Sequence, residues 1–472
     1  MDASFAVDTG NTAFMILAAS LVLLMTPGLA FFYGGMTRSK SVLNMMMMSF
    51  GAMGIVGLIY VLWGYSMSFG TDIGGIIANP FEFFGLVGLS DAIPTTLSDG
   101  TAGVMSNSLM ASTGVPAMVA VGFQLTFAVI TVALISGSLA DRVKFATWMV
   151  FAGIWVTIVY FPIAHMVWGG GILSGSGFIA KALSTPIDFA GGTVVHINAG
   201  TAALVLALVI GKRKGFGKDP MKPHNLPLVM IGAALLWFGW FGFNAGSEFG
   251  ADGTAGQAWI NTTVATAVAM LGWLIVEKLR DGHATSLGGA SGVVAGLVAI
   301  TPAAAAVDTI GAIFIGLIAG AVCALAVGLK YRFGYDDSLD VVGVHLVGGL
   351  LGTVLIGFFA HLPQEGDSAP LSTFAPAGAQ NGLFYGGGAT QLLTQTLVAL
   401  VSVVVSGVLT YIIAMALKAT MGWRISDDDE AEGIDVTIHG EQGYDLDAGG
   451  GSGHGVLTSS LTKSVATLKA QL

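Results

Sequence analysis

The chain is poor in cysteine and in charge, and both shortages narrow the class of protein to which it can belong. Its 472 residues include 1 cysteine, Cys323, which excludes an intrachain disulfide and a cysteine-rich metal site. Charged residues make up 10% of the sequence, far below the share found in soluble domains, whereas hydrophobic residues make up 54%. A chain this apolar is typical of a membrane protein with many spanning helices.

Basic residues are scarcer than acidic ones, and the net charge is −10 at pH 7. The acidic residues lie mostly in loops and in the run DDDEAEG at 427–433, so the charge balance gives no reason to expect a nucleic-acid partner. The opening residues lack a basic region and a cleavage site. We therefore expect no removable signal peptide, and insertion into the lipid bilayer through the first helix.

Long apolar stretches occupy most of the sequence. A helix needs about 20 apolar residues to cross the hydrocarbon core of a bilayer. Stretches near this length cover 12–35, 42–69, 115–139, 146–168, 190–211, 226–246, 260–277, 287–301, 309–329, 341–360 and 390–418. The sequence therefore predicts an all-α polytopic membrane protein with eleven transmembrane helices.

The positions of lysine and arginine orient these helices. Of the 18 basic residues, all except Lys181 fall on one side of the predicted topology. Because lysine and arginine concentrate in cytoplasmic loops, we expect the N-terminus outside and the C-terminus in the cytoplasm. The chain then divides into an eleven-helix membrane domain over 1–419 and a cytoplasmic regulatory tail over 420–472.

Two histidines lie within the apolar stretches, each shortly after an aspartate. Asp188 precedes His196 in DFAGGTVVHINAG, and Asp340 precedes His345 in DVVGVHLVGG. These pairs open the fifth and the tenth predicted helix. We therefore expect two inverted five-helix repeats followed by a long eleventh helix, a common plan of transporters.

Ionisable groups at membrane depth are costly, and they mark transport routes, proton relays or cofactor sites. Two membrane histidines can also ligate haem or a metal, as in redox enzymes. No further soft ligands cluster near His196 and His345 in the sequence. We therefore expect neither a cofactor nor a metal, and a transport protein rather than an enzyme.

Aromatic residues and a serine gather near the outer ends of the predicted helices. Trp240, Phe243 and Ser247 are spaced three and four apart, so they share one helix face. Phe127 and Trp168 add further rings, although a single tryptophan at a helix end is more often an interfacial anchor. Ring faces attract a desolvated cation by up to about 2 kcal/mol, and a serine oxygen accepts a hydrogen bond. Together they suit a small cation with hydrogen atoms to donate, such as ammonium or methylammonium.

Several longer segments resemble one known family. The segments are FQLTFAVITVALISGSLADR (123–142), PIAHMVWGGG (162–171), DFAGGTVVHINAGTAALVLALVIGKRKGFG (188–217), KPHNLP (222–227), GWFGFNAGS (239–247) and DDSLDVVGVH (336–345). They closely resemble the ammonium transporter family, Amt/Mep/Rh, and the resemblance runs from about Asn11 to Asp445. It implies ammonium transport by a multi-pass protein of the cell (plasma) membrane.

The resemblance implies roles for residues at the outer mouth. Phe127, Trp168 and Ser247 match the family's recruitment site for the ion. Asp188 matches an aspartate beneath that site, which stabilises it without contacting the substrate. Phe127 and Phe243 match a pair of stacked rings that gate the pore.

Further matches lie deeper in the pore. His196 and His345 match the family's twin pore histidines, and Trp240 matches a tryptophan that lines the pore beside them. Asp337 resembles an acidic position near the cytoplasmic exit. The family usually has glycine after the second histidine, where this chain has Leu346. A larger side chain there either narrows the lumen or packs against a neighbouring helix.

These matches lead to a functional hypothesis with two alternatives. We expect recruited ammonium to lose its proton and ammonia to pass the histidines, with coupled proton movement. A passive ammonia channel of the Rhesus type and an ammonium sensor acting through its tail remain open. The resemblance also implies a homotrimer with one pore in each subunit. The segment 424–446 resembles the family's tail, which implies a PII-type signal protein as partner at the cytoplasmic face.

Overall fold

The structure, a computed structural model, describes residues 4–5, 7–89, 93–96, 102–105, 113–363 and 374–444. Helices dominate these residues. The long ones are α1 (Thr9–Met36), α2 (Ser39–Phe69), α3 (Ala117–Leu139), α4 (Phe145–Trp168), α5 (Gly192–Ile210), α6 (Leu226–Glu248), α7 (Gly253–Asp281), α8 (Ser286–Ile300), α9 (Thr309–Phe333), α10 (Val342–Phe359) and α11 (Thr390–Thr420). The end of the predicted tail, residues 445–472, lies outside the described residues.

Within the described part of the chain, 10 helices are long and apolar enough to cross a membrane. The predicted span over 287–301 is instead the helix α8 of 15 residues. At about 1.5 Å per residue, such a helix is shorter than the roughly 30 Å hydrocarbon core. Buried turns over 301–307 follow it. The polytopic helical class is confirmed, and the eleventh crossing stays a prediction.

Several pairs of helices are in close contact. α1 lies along α6, α7 contacts both α8 and α9, and α11 lies along α5 and α10. At the α1–α6 contact, a Cβ on Gly232 would lie 2.3 Å from the backbone nitrogen of Phe32. In lipid, where van der Waals contact drives helix association, such close approach of backbones holds the bundle together.

The two ends of the bundle carry different structures. We call the end that carries Trp168 the mouth end, and the end that carries Arg142 the tail end. Short antiparallel strands accompany the mouth end, where β2 (Asp72–Ile73) pairs with β3 (Ile77–Ala78) in a hairpin. A second small sheet has the order β1-β5-β4, with β1 (Ser4–Phe5), β4 (Ile93–Thr96) and β5 (Ala102–Met105).

A fully buried arginine organises the tail end. Arg142 donates hydrogen bonds to the carbonyls of Ser138, Asp336 and Gly211 at 2.9, 2.8 and 3.0 Å. The Asp336 carboxylate in turn accepts two hydrogen bonds from the Arg213 guanidinium, each 2.9 Å long. Burial lowers the pKa of Arg142 to about 10, which leaves the side chain charged at neutral pH. This network ties together the loops that follow α3, α5 and α9.

The described part of the tail packs against these loops. Glu430, in a short helix (Asp427–Glu432), is buried and accepts a hydrogen bond from the Arg424 guanidinium. In the π-helical turn that follows, Asp435 accepts two backbone amides near the start of α2, at 2.9 and 2.7 Å. Two buried carboxylates therefore attach this part of the tail to the helix bundle.

Candidate functional site

A broad cavity at the mouth end brings together the residues predicted for the recruitment site. It has a volume of about 900 Å³, and its lining includes Phe127, Trp168, Asp188 and Ser247. Glu248 contributes a second acidic residue, and no lysine or arginine lines the cavity among the residues described. This cavity, hereafter the vestibule, favours a cation through its aromatic surface.

The polar groups of the vestibule are held in defined orientations. Ser247 Oγ donates its proton to the carbonyl of Phe243 at 2.8 Å. Because a hydroxyl has one proton and two lone pairs, the oxygen can still accept a hydrogen bond from a molecule in the vestibule. Trp168 Nε1 donates to the carbonyl of Asp188 at 3.0 Å. Its ring meets Phe127 edge-on, with centroids 5.9 Å apart.

The Asp188 carboxylate caps the opening of α5. Its Oδ1 accepts the amides of Gly191 and Gly192 at 2.8 and 2.6 Å, and its Oδ2 accepts the amide of Thr193 at 2.9 Å. These amides open a helix and would otherwise lack partners. Burial raises the pKa of Asp188, although the hydrogen bonds from Thr193 and the two glycine amides counter that effect. With its oxygens occupied in this way, Asp188 holds the start of α5 at the lining of the vestibule.

Two stacked phenylalanines form the floor of the vestibule. Phe127 of α3 and Phe243 of α6 have ring centroids 4.1 Å apart and planes inclined by 27°. Both side chains are fully buried. Phe127 lines the vestibule, whereas Phe243 lines a separate, much smaller chamber. The ring pair therefore lies between the two spaces.

The small chamber contains the two histidines predicted for the pore. Its volume is about 10 Å³, and its lining includes His196, His345, Trp240 and Phe243. That volume accommodates about one water-sized molecule. Trp240 stacks on His196 with centroids 5.5 Å apart, and its Nε1 donates to Thr301 at 2.8 Å. Sequence analysis missed Thr301, because it lies in the turns after α8 and no spacing signal connects it with Trp240.

The two histidines share one hydrogen bond, between Nδ1 atoms 3.2 Å apart. A neutral imidazole carries one proton, so one ring donates through Nδ1 and the other accepts and carries its own proton on Nε2. The pair therefore presents one Nε2 donor and one Nε2 acceptor. His196 Nε2 is buried and has no hydrogen-bond partner among the described residues. A small neutral molecule with N–H groups and a lone pair fits such a pair.

The aspartate that supports the His345 helix is Asp337 and not Asp340, which corrects the pairing predicted from the sequence. The Asp337 carboxylate accepts two amides at the opening of α10, at 3.1 and 2.7 Å. Asp188 supports α5 in the same way, and each histidine, His196 or His345, lies eight positions after its aspartate. This shared interval is the sequence signal that identifies the pair. Both helices open with a π-helical turn.

Asp340 forms a different contact, below the chamber. Its Oδ1 accepts a hydrogen bond from Lys330 Nζ at 2.6 Å. With His345 and Tyr33 it lines a second small cavity of about 10 Å³. Burial raises the pKa of the neighbouring Asp337 to about 6, while the Lys330 ammonium works in the opposite direction. The two acids therefore lie between the histidines and the tail end.

Leu346 points away from the two small cavities, since neither lining includes it among the described residues. It packs against α5, where a Cβ on Gly200 would lie 2.7 Å from the Leu346 Cβ. The residue is buried, with 8% of its surface exposed. Of the two interpretations of this departure, the geometry favours packing against a neighbouring helix over narrowing of the lumen.

Comparisons with known proteins agree with one another. The sequence matches the family model described as Ammonium Transporter Family over residues 13–444. The ammonium transporter of Mycobacterium tuberculosis is 56% identical over 94% of this chain and 92% of its own length. The crystal structure of Candida albicans Mep2 has a TM-score of 0.77 at 30% identity and covers 90% of this chain and 88% of that one. A structure named Sensor Amt Protein has a TM-score of 0.77 at 27% identity and covers 91% of this chain and 98% of that one.

Replacement of Leu346 by alanine should lower stability without changing the transport rate per molecule. The cavity left against Gly200 is expected to cost about 2–5 kcal/mol, measured as a lower midpoint of thermal unfolding in detergent. Leu208→Ala, at a position of α5 that is 64% exposed, provides the matched control. Faster transport by Leu346→Ala with unchanged stability would show that the leucine narrows the lumen instead.

Proposed function

Because the chain belongs to the ammonium transporter family, we propose that it moves ammonium across the cell membrane by separating the ion into ammonia and a proton. The family is one of transporters rather than enzymes, and the chain is a multi-pass membrane protein. The observation that carries the proposal is the order of spaces along the path. A cation-favouring vestibule is followed by a stacked ring pair and a chamber of about 10 Å³ with two histidines.

Capture of the ion takes place in the vestibule. Phe127 and Trp168 attract the positive charge through their ring faces, and the Ser247 oxygen accepts one N–H hydrogen bond. Methylammonium keeps three N–H groups and should bind as well. Potassium shares the charge of ammonium but has no hydrogen atom to donate to the serine.

Loss of the proton precedes entry into the pore. Stripping a cation of water in an apolar pore costs from several to tens of kcal/mol, as an order of magnitude. The pKa of ammonium lies about two units above neutrality, so losing the proton at pH 7 costs only about 3 kcal/mol. Deprotonation is therefore the cheaper route past Phe127 and Phe243. Potassium has no such route, and this excludes it without a tight-fitting filter.

Ammonia then passes the histidine pair. The Nε2 donor and the Nε2 acceptor provide polar edges in a chamber whose other walls are apolar. The same pair can exchange a proton with the substrate or within itself. We propose that the proton lost by the ion adds to the free Nε2 of the pair, a proton shifts across the Nδ1 contact, and a proton leaves from Nε2 of the other ring, so that transport through His196 and His345 moves net charge. The Nδ1 to Nδ1 hydrogen bond of 3.2 Å supports this step.

Two other functions compete with this one. A passive ammonia channel of the Rhesus type would use the same chamber without net charge movement. A sensor would report occupancy of the vestibule through the tail, and the similarity to the structure named Sensor Amt Protein favours it as the second candidate. The buried contacts of Glu430 and Asp435 offer such a sensor a route between tail and bundle.

We also propose a membrane topology and an oligomeric state for the chain. The chain crosses the membrane eleven times, with α8 and its buried turns as the eighth crossing, and the vestibule faces outward. Two inverted five-helix repeats make up the bundle, and the shared aspartate-to-histidine interval at α5 and α10 supports them. The membrane domain covers 1–419 and the cytoplasmic tail 420–472. The active unit is a homotrimer, as the resemblance to the family implies.

Replacing both pore histidines should abolish ammonium current. With His196→Leu and His345→Leu combined, the donor and acceptor edges and the proton relay are lost. The measurement is the current from purified protein in proteoliposomes on an ammonium pulse, with potassium as the ion control and His283→Leu as the variant control. A selective ammonium current of wild-type size in the double variant would refute the relay. Rapid internal alkalinisation by the wild type without current would identify a passive channel.

Ser247→Ala should raise the KM for ammonium about 3- to 10-fold, because one hydrogen bond to the ion is lost. The maximal rate should stay near that of the wild type, since the pore is untouched. Ser20→Ala is the matched control, because Ser20 also donates to the carbonyl four residues earlier but lies exposed on α1. An unchanged KM in Ser247→Ala would remove the serine from the recruitment site.

A PII-type signal protein should bind the cytoplasmic face in a nucleotide-dependent manner. The packing of the tail over the tail-end loops supports a regulatory surface there. The measurement is a pull-down of PII protein on the detergent-solubilised chain at varied ATP, ADP and 2-oxoglutarate, with empty resin as control. Binding that ignores all three ligands, or no binding, would argue against this partner.

A further inference from the structure

A buried histidine lies one helical turn before the vestibule tryptophan. His165 belongs to α4, and its side chain is completely buried. Its Nδ1 lies 3.0 Å from the carbonyl oxygen of Ser68, and its Nε2 lies 2.8 Å from Oδ1 of Asp72. Asp72 belongs to the β2–β3 hairpin, and its side chain is 48% exposed. The ring therefore joins the end of α4 to the end of α2 and to the hairpin.

The partners of the ring determine its proton count. A carbonyl oxygen only accepts hydrogen bonds, and an ionised carboxylate also only accepts. Hydrogen bonding to His165 lowers the pKa of the Asp72 carboxyl. Facing two acceptors, the ring makes both hydrogen bonds only when each of its nitrogens carries a proton.

The same residues hold the segment that carries Trp168. The carbonyl of His165 accepts the amide of Gly169 at 2.9 Å, directly after the tryptophan. Asp72 Oδ1 also accepts the amide of Gly75 at 2.8 Å, and the Gly75 carbonyl accepts the amide of Ile172 at 2.9 Å. The hairpin and the residues on both sides of Trp168 are thus linked through the Asp72 carboxylate.

No side chain fits between the histidine and the tryptophan segment. A Cβ at Gly169 would lie 2.1 Å from the Ser68 carbonyl oxygen and 2.5 Å from His165 Nδ1. Trp168 itself is tied on its other side to the Asp188 carbonyl at 3.0 Å. Loss of a hydrogen bond by the His165 ring therefore shifts the indole of Trp168.

We infer that the His165–Asp72 pair is a latch that positions Trp168 and makes ammonium affinity depend on the pH at the vestibule, an inference that rests on the proposed function. His165 is a positioning residue, because it acts on the substrate through Trp168. With two protons on the ring, both contacts are made. When the ring loses one proton, either Ser68 or Asp72 loses its donor, and the tryptophan segment loosens.

Other titratable groups surround the pair. Tyr65 of α2, Tyr160 of α4 and His196 of α5 lie on segments that pack against the end of α4. Glu82 accepts the amide of Thr71 beside the hairpin. The Asp188 carboxylate is occupied by amides of α5. Asp72 alone of these side chains is within hydrogen-bond distance of the His165 ring in the described structure.

Substitutions at Asp72 separate a pH-dependent latch from simple packing. In Asp72→Asn the amide NH₂ can donate to Nε2 of a neutral ring that still donates from Nδ1 to Ser68. This variant keeps the contact without the second ring proton. In Asp72→Ala the contact is lost at every pH. Asp8→Asn is the control, since it removes an exposed carboxylate while asparagine still caps α1.

The experiment measures the KM for ammonium in proteoliposomes while the pH on the vestibule side varies between about 5 and 8, the range in which histidine changes charge. The wild type and Asp8→Asn should show a KM that rises toward alkaline pH. Asp72→Asn should show a KM that stays nearly constant. Asp72→Ala should show a KM raised about tenfold at acidic pH, because a charge-assisted hydrogen bond is lost.

Each other outcome counts against the latch. A wild-type slope in Asp72→Asn would overturn it, and so would a wild-type KM at every pH in Asp72→Ala. Because asparagine is isosteric with aspartate and position 72 is exposed, Asp72→Asn decides the question even if the alanine variant is unstable. If the wild type transports ammonium normally and both Asp72 variants show the same KM as the wild type at every pH, the latch is wrong and the proposed function stands. A wild-type protein without any ammonium-dependent signal overturns the proposed function, and the latch with it.

Discussion

A single carboxylate at the start of each histidine-bearing helix determines where the two histidines lie. Backbone amides that open a helix have no partner within it, and in a membrane interior each unsatisfied amide costs several kcal/mol, as an order of magnitude. Asp188 satisfies these amides at α5, and Asp337 does so at α10. Both helices can therefore begin inside the protein, each with a π-helical turn of the kind frequent at functional sites. His196 and His345 meet because their helices begin there.

Asp188 also holds a residue of the vestibule in place. The Asp188 carbonyl accepts the indole N–H of Trp168, while its carboxylate holds the helix of His196. The capture surface and the chamber are therefore built on one residue, on opposite sides of the Phe127–Phe243 ring pair. This arrangement places a site suited to a cation directly next to a space suited only to a neutral molecule. In the proposed mechanism, the energetic difference between these two environments favours loss of the proton between them.

At the tail end, buried charge replaces apolar contact as the means of joining segments. Burying an ion costs several kcal/mol unless its partners are complete, as an order of magnitude. Arg142 meets this requirement through carbonyls at the end of α3 and in the loops after α5 and α9, and Asp336 meets it through Arg213. Glu430 and Asp435 extend the same principle to the tail, so the tail is part of the folded bundle and its contacts are specific.

The sequence by itself determined the class of the protein, because apolar composition and stretch length are local properties that the bilayer selects directly. It also singled out the histidines and the aromatic residues of the path, through unusual residue types and a family resemblance. The tertiary structure decided that Asp337, rather than Asp340, supports the His345 helix, and it alone decided that Leu346 faces α5 and that Thr301 holds Trp240. It also shortened α8 to 15 residues followed by buried turns. The contacts of Leu346 and Thr301 join segments far apart in the chain, and their proximity depends on how helices pack, which no local pattern encodes.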